Sequence, residues 1–391
     1  MRRFRPLIIA LAAIIALIVG ALMLFNRATT TEIKITTNEA SARITVGTPE
    51  RPEQIVRVGS TTVTLGAGDY TVKVQKDDQE TRTLITVVQG QPQTVDLPLT
   101  PVKGGDFVGA FAGSNLNASK DGLTFIWSDY GQLLRLPAGG GTATPLIDAE
   151  VSEAFWINET QGYIRDSSDV YNFFDGQRLR PLPYNVSPNT FSATASGAIA
   201  YGDQTKVFVR PSSEAAPVFE FEYPAGQLQT RIGAQDYVLV FDIDVGPETS
   251  AEQQKPAIFK AGKKVDSASE RIQNLLINGA TWSPDGNVLA LNAGEGLFLL
   301  DLRTNTLARL SQEASVVPEG VVWQGSDTLF YIQDARLWRV SLSNRPMWTK
   351  LANINDSVGL LGPLAVSPDN KVYFSTNNAR LQGTIFRVNV E

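Results

Sequence analysis

The chain has 391 residues, with 34 Lys and Arg against 40 Asp and Glu and a net charge of −6. That is more than one ordinary domain, and with no basic block to follow a phosphate backbone it gives no reason to expect nucleic acid as a partner. There is no Cys and no His, which excludes Cys and His nucleophiles or bases, zinc sites built on those ligands, and disulfides.

In chain order, the first feature is an uncharged apolar run from Leu7 to Phe25, carried by Leu7, Ile8, Ile9, Leu11, Ile14, Ile15, Leu17, Ile18, Val19, Leu22, Leu24 and Phe25. As a helix rising ~1.5 Å per residue it spans roughly 29 Å, close to a bilayer core of about 30 Å. The run exceeds a signal-peptide core, and Leu22-Met23-Leu24-Phe25-Asn26-Arg27 offers no small-residue cleavage site. Arg2, Arg3 and Arg5 precede it, with Arg27 alone just after, which orients the N-terminus inside. The expectation is a single-pass anchor in the cytoplasmic membrane over residues 1–30, with the lipid bilayer as partner through residues 7–25. The bulk of the chain would then be extracytoplasmic.

Short alternating segments follow from Thr31 to Leu99: Glu32–Thr36, Ala42–Val46, Gln54–Val58, Thr61–Leu65, Tyr70–Gln75, Thr81–Val87 and Gln93–Leu97. Period-two patterning with turn residues between predicts a small β-sandwich over residues 31–99. Ala42–Val46, Gly66–Val74 and Val87–Gln91 with Val95–Leu97 resemble PEGA domains, and the resemblance implies an Ig-like extracytoplasmic spacer or binding module. The family's Pro-Glu-Gly-Ala stretch is absent before Arg43, and the loop at Thr48–Gln54 is longer. Residues 100–105 read as a linker.

Residues 106–391 repeat. Trp282-Ser283-Pro284-Asp285-Gly286-Asn287-Val288-Leu289-Ala290-Leu291 returns as Ala365-Val366-Ser367-Pro368-Asp369-Asn370-Lys371-Val372-Tyr373-Phe374, with a good copy at Asn117–Trp127, one in the intermediate position at Val321–Tyr331 and weaker ones at three further places. Apolar third strands recur at Gln132–Leu136, Asp169–Phe173, Lys206–Arg210, Ala257–Lys260, Gly296–Leu300, Arg336–Val340 and Thr384–Val388. A spacing of roughly 40–45 residues is that of four-stranded propeller blades. A blade buries its two faces only by stacking on neighbours around a ring. The fold expected is therefore all-β, a seven-bladed β-propeller after the sandwich, with six blades as the alternative because the fourth unit is stretched. The last unit ends after its third strand, so its outermost strand must come from elsewhere, and Val95–Val102 is the candidate. The Ser-Pro-Asp-Gly and Ser-Pro-Asp-Asn copies resemble TolB-like (WD-like) propeller repeats, a resemblance that implies the fold and leaves the function open.

The site residues singled out are the repeat turns Ser283, Pro284, Asp285, Gly286, Ser367, Pro368, Asp369 and Asn370, with the aspartates accepting backbone hydrogen bonds. Trp156, Trp282 and Trp323, which recur before the turn, are read as packing aromatics. Asp242–Gly246 starts like a calcium loop, but the later ligands do not follow in register. No catalytic residue, metal or cofactor is assigned. Polar insertions at Gly246–Gln254 and Lys263–Asn274 make the fourth unit the most individual. The functional expectation is a membrane-anchored binding or scaffold protein that displays its propeller to an envelope protein or glycan. The alternative is a hydrolase or lyase using acidic residues at the funnel.

Overall fold

The computed structural model describes residues 30–48, 51–120, 122–129, 131–158, 160–203, 206–223, 228–242, 255–310, 316–343, 345–354, 360–361, 363–377 and 382–390. These residues divide into two compact units, one of residues 1–102 with 340–350, the other of residues 103–339 with 351–391.

In the first unit, β1 (Thr30–Thr36), β2 (Arg43–Thr48), β3 (Arg51–Val58), β4 (Thr61–Gly66), β5 (Gly68–Lys76), β6 (Gln79–Val87) and β7 (Gln93–Asp96) follow the alternation in the sequence. One sheet has the order β4-β1-β7, with β7 parallel to β1; the other runs β6-β5-β2-β3. Each turns its apolar face inward: Ile33, Ile35, Val63, Leu65 and Val95 meet Ile44, Val46, Val72, Val74, Ile85 and Val87 in one core. Each fully buried Ile or Val there contributes about 1.5–3 kcal/mol. Leu97 and Leu99 close that core, each at most 3 % exposed.

From residue 103 onward antiparallel sheets, most of them four-stranded, follow one another, with residues 340–350 grouped with the first unit. β8 (Asp106–Ala112) comes first and is set aside for the end of the chain. Then come β9 (Ser114–Ala118), β10 (Thr124–Asp129), β11 (Gln132–Pro137) and β12 (Thr144–Asp148); β13 (Val151–Trp156), β14 (Gly162–Asp166), β15 (Tyr171–Phe174) and β16 (Leu179–Pro181). The third set is β17 (Ser192–Ala193), β18 (Ile199–Asp203), β19 (Lys206–Arg210) and β20 (Phe219–Glu222); the fourth is β21 (Leu228–Ile232), β22 (Tyr237–Asp242), β23 (Ala257–Lys260) and β24 (Lys263–Lys264). A helix, α1 (Asp266–Ile272), precedes the fifth set, β25 (Ile277–Trp282), β26 (Val288–Ala293), β27 (Gly296–Asp301) and β28 (Thr306–Arg309). β29 (Val316–Gln324), β30 (Thr328–Gln333), β31 (Arg336–Ser341) and β32 (Met347–Asn353) follow in order. Last are β33 (Leu360–Leu361), β34 (Ala365–Val366), β35 (Lys371–Asn377) and β36 (Gln382–Asn389).

Each sheet is apolar on both faces, and successive sheets cover one another. Ile126 and Leu133 of the first set pack on Trp156, Ile164 and Phe174 of the second, and Tyr163 and Tyr171 of the second on Phe191, Ile199 and Tyr201. Val207 and Val209 meet Leu228, Val238 and Val240, and Leu239 and Phe241 meet Leu289, Leu291 and Leu300. Phe330, Ile332 and Leu337 pack on Val372, Phe374 and Val388. The ring closes where Ala365, Tyr373 and Ile385 of the last set reach Phe125 and Trp127 of the first.

The last sheet takes its outer strand from the start of the unit. β8 lies antiparallel to β36, from Gln382 opposite Ala112 to Arg387 opposite Asp106, and Val108 and Phe111 join the closing cluster. The expected closing stretch, Val95–Val102, is displaced by this finding, because Val95, Leu97 and Leu99 bury their side chains in the sandwich.

The polar insertion over residues 263–274 holds β24 and α1, and one further expectation is corrected. Val265, Ala268, Ser269 and Ile272 have the i, i+3, i+4, i+7 spacing of one helical face. Ala268, Ser269 and Ile272 are buried, and the Ser269 hydroxyl accepts the Ile258 N–H at 3.0 Å. The single-pass membrane location is not retained: among the described residues no helix is long and apolar enough to cross a membrane, and α1 has 7 residues. The residues named for the anchor, Leu7 to Phe25, lie outside the described residues.

Candidate functional site

The repeat turns are built the same way. Ser283 N–H donates to the Val288 carbonyl at 2.8 Å, Gly286 N–H donates to the Ser283 carbonyl at 2.8 Å, and the Ser283 hydroxyl accepts the Val288 N–H at 2.9 Å. That hydroxyl donates to Asp285 Oδ1 at 2.6 Å, and the same carboxylate takes the Asn287 N–H at 3.2 Å and Asn287 Nδ2 at 2.8 Å. Pro284 occupies the position that needs no donor. In the last copy, Ser367 N–H donates to the Lys371 carbonyl at 2.9 Å, the Ser367 hydroxyl donates to Asp369, and Pro368 and Asn370 complete the turn, with Asn370 at φ 61°. Ser119 and Thr194 repeat the hydroxyl contact, accepting the Thr124 N–H at 3.0 Å and the Ala198 N–H at 3.1 Å.

These contacts set the aspartates' chemistry. Burial draws the Asp285 carboxyl upward, but hydroxyl and amide donors from Ser283, Asn287 and Ser326 outweigh it and hold it below the usual carboxylate range. Lys371 and Ser367 hold Asp369 low as well. Asp175 and Asp301 are also held low, by backbone donors and by Arg303 respectively. A general acid needs a raised carboxyl, and these four are displaced the other way. Among the described residues no three acidic side chains gather as a metal cluster. Asp242 is 9 % exposed at the end of β22, and residues 243–246 of the expected calcium loop lie outside the described residues.

The tryptophans tie one sheet to the next. Trp282 Nε1 donates to the Arg231 carbonyl in the preceding sheet at 2.8 Å, and Trp323 Nε1 does the same to Thr281 at 3.2 Å. Trp156 is 1 % exposed and meets Phe174 edge-on at 5.7 Å.

Where the sheets' first strands end, the chain places two cations. Lys120 occupies the turn position held elsewhere by Pro284 and Pro368, and its N–H donates to the Trp156 carbonyl at 3.0 Å. Arg231 sits near the end of β21, with Nη1 on the Thr230 carbonyl at 2.8 Å and Nη2 on Gln229 Oε1 at 3.1 Å. The Lys120 ammonium is pushed below the ordinary lysine range, first by desolvation and then by the Arg231 charge, although the side chain is reached by solvent. Aligning Ser119-Lys120-Asp121-Gly122 on the repeat turn was the signal that could have found Lys120 from sequence.

A second polar group lies at the start of the second sheet. The Tyr171 hydroxyl donates to Glu153 Oε2 at 2.6 Å. Arg165 reaches Glu153 at 3.4 Å, Asp169 at 3.2 Å and Asn189 Oδ1 at 3.3 Å. Burial and the Glu153 carboxylate drive the Tyr171 phenol far above its usual range. These side chains satisfy one another, which makes the group a brace between the second and third sheets.

No family model matches the chain, and no curated protein sequence does. Solved structures do. A chain of the "Crystal Structure of Mitotic Checkpoint Complex" matches with a TM-score of 0.51 and 14% identity, over 74% of this chain and 97% of that one. The "C-Terminal WD40 Domain Of Sif2" matches with a TM-score of 0.48 and 14% identity, over 82% and 93%. "YCF48 bound to D1 peptide" gives 0.49 and 11%, over 74% and 98%. At these identities a likeness concerns fold alone, and the first of them, with the ring of stacked sheets, makes the second unit a WD-like β-propeller.

Proposed function

We propose that the second unit is a seven-bladed propeller that binds a protein partner, and that the turn-bearing end of its axis receives an acidic segment of that partner. The blade number is supported by the recurring third strands, since β11, β15, β19, β23, β27, β31 and β36 each fall third in their own set. For the first unit we keep the PEGA-like reading, a spacer that carries no chemistry of its own.

The reading is supported by two cations beside the first strands of their sheets, Lys120 and Arg231, whose charge adds to desolvation in pushing the Lys120 ammonium below the ordinary lysine range. Two cations that act on one another raise the local potential and attract carboxylates. The test uses the full chain as bait, chemical cross-linking, and mass spectrometry of what is retained. Wild type is expected to retain a protein with an acidic segment, less of it at high salt, and Lys120→Glu with Arg231→Glu is expected to lose it at least tenfold. Equal recovery by the charge-reversed chain, at unchanged circular dichroism, refutes the site.

A further inference from the structure

The second sheet of the first unit does not end at β6. Residues 340–350 group with this unit, and Met347, Trp348 and Thr349 lie antiparallel to Thr83, Arg82 and Thr81. The contact is more than a backbone ladder. The Thr83 hydroxyl donates to the Pro346 carbonyl at 2.7 Å, and Arg345 Nη2 donates to Gln93 Oε1 on the facing sheet at 2.9 Å. Met347 packs against the sandwich core. The Arg82 guanidinium lies 5.6 Å from the centre of the Trp348 ring, and Trp348 is 3 % exposed.

An exposed strand edge is a template for another strand, and proteins normally blunt it with charge, proline or cover. The far edge of this sheet follows that rule, since β3 carries Arg51, Pro52, Glu53 and Arg57. The β6 edge is instead covered by the added strand, and Thr81 and Thr83 are 0 % and 3 % exposed with that strand in place. Backbone bonds of strand addition give affinity, while side-chain contacts at alternate positions give selectivity; here Arg345, Met347 and Trp348 supply them. The resident strand is also imperfectly satisfied, because Trp348 Nε1 is buried without an acceptor.

We propose that the β6 edge is a strand-accepting site selective for the Arg345–Thr349 sequence, filled by the chain's own segment and open by exchange to the same segment of a second copy. The inference concerns the first unit and does not depend on the reading of the propeller.

The test uses the full chain with the resident strand weakened by Met347→Ser and Trp348→Ser, titrated with a fluorescent peptide of residues 343–351 and read by anisotropy. Saturable binding to this variant is expected, at least tenfold tighter than to wild type, whose edge is occupied, and absent for a scrambled peptide. No saturable binding to a variant with native circular dichroism overturns the proposal, as does equal binding of the scrambled peptide. A second measurement avoids any question of folding. The chain has no cysteine, so Thr83→Cys alone can be offered peptides carrying cysteine at the position of either Met347 or Pro346. Faster mixed-disulfide formation with the Met347 position, which faces Thr83 in the register, supports the site; equal rates for both peptides overturn it.

Discussion

Gly286→Ala probes the stacking of the fourth and fifth sheets at the repeat turn. Gly286 has φ +71°, and a Cβ added there would lie 2.6 Å from the Ala234 carbonyl oxygen and 3.0 Å from its carbon. Two costs add. The left-handed backbone conformation disfavours any L side chain by roughly 1–2 kcal/mol, and forcing a methyl against a neighbouring backbone costs about 1–3 kcal/mol more. A total of about 2–5 kcal/mol follows. The control is Gly131→Ala, where φ is +81° but nothing lies within 4 Å of the added Cβ, so only the backbone cost of roughly 1–2 kcal/mol applies. Urea unfolding followed by tryptophan fluorescence measures both, with the slope checked for constancy. If Gly286→Ala costs no more than Gly131→Ala, the adjoining sheets do not meet rigidly at this turn and the stacking argument fails there.

Further outcomes follow from the same structure. Trp282→Phe removes the bond to the Arg231 carbonyl while keeping most of the ring, and should cost about 1–2 kcal/mol in urea unfolding; Trp323→Phe, with the longer 3.2 Å bond, should cost less. Arg303 holds the Asp301 carboxyl below the ordinary 3.8, so its contribution to stability is present above that value and is lost as pH falls through the lower, folded value. Asp301→Asn should therefore lower thermal stability modestly at pH 7, and the difference from wild type should shrink and disappear as pH falls below 4. At the alkaline end, burial raises Tyr171, Tyr184 and Tyr223, the last to about 12. Phenols that ionise later when folded favour unfolding as pH rises above 10, the ordinary value. Absorbance at 295 nm should show these phenols titrating only when circular dichroism is lost, and titration in the folded state below pH 11 would contradict the burial described.

Much of the architecture was legible because period-two alternation states directly which face of a strand is buried. The sandwich strands and the third strand of each propeller set appear where that pattern places them. What alternation does not state is which sheet covers the face. Val95, Leu97 and Leu99 alternate like a closing propeller strand yet bury against Ile33 and Ile35, whereas β8, with Gly105 and Gly109 about it, looks like linker. The Arg345–Thr349 segment was missed for a related reason. Its partner lies more than 250 residues away in sequence, and its short Pro-Met-Trp run carries no period of its own. α1 was readable from its i, i+3, i+4, i+7 spacing but was hidden by its Ser- and Glu-rich outer face. The candidate site was half legible: the turn motif exposes Lys120 once the copies are aligned, while no pattern in the sequence marks Arg231 as the charge that acts on it.

Closure of that ring is the claim on which the rest depends, and a cysteine-free chain allows it to be tested cleanly. Ala110 on β8 lies directly opposite Thr384 on β36, and facing Cα atoms in an antiparallel pair are roughly 4.5–5.5 Å apart, within disulfide range. The double variant Ala110→Cys with Thr384→Cys is predicted to form an intramolecular disulfide under mild oxidation and to unfold at higher urea than its reduced form. A chain that stays reduced, or that cross-links only between molecules, would contradict closure of the propeller by β8.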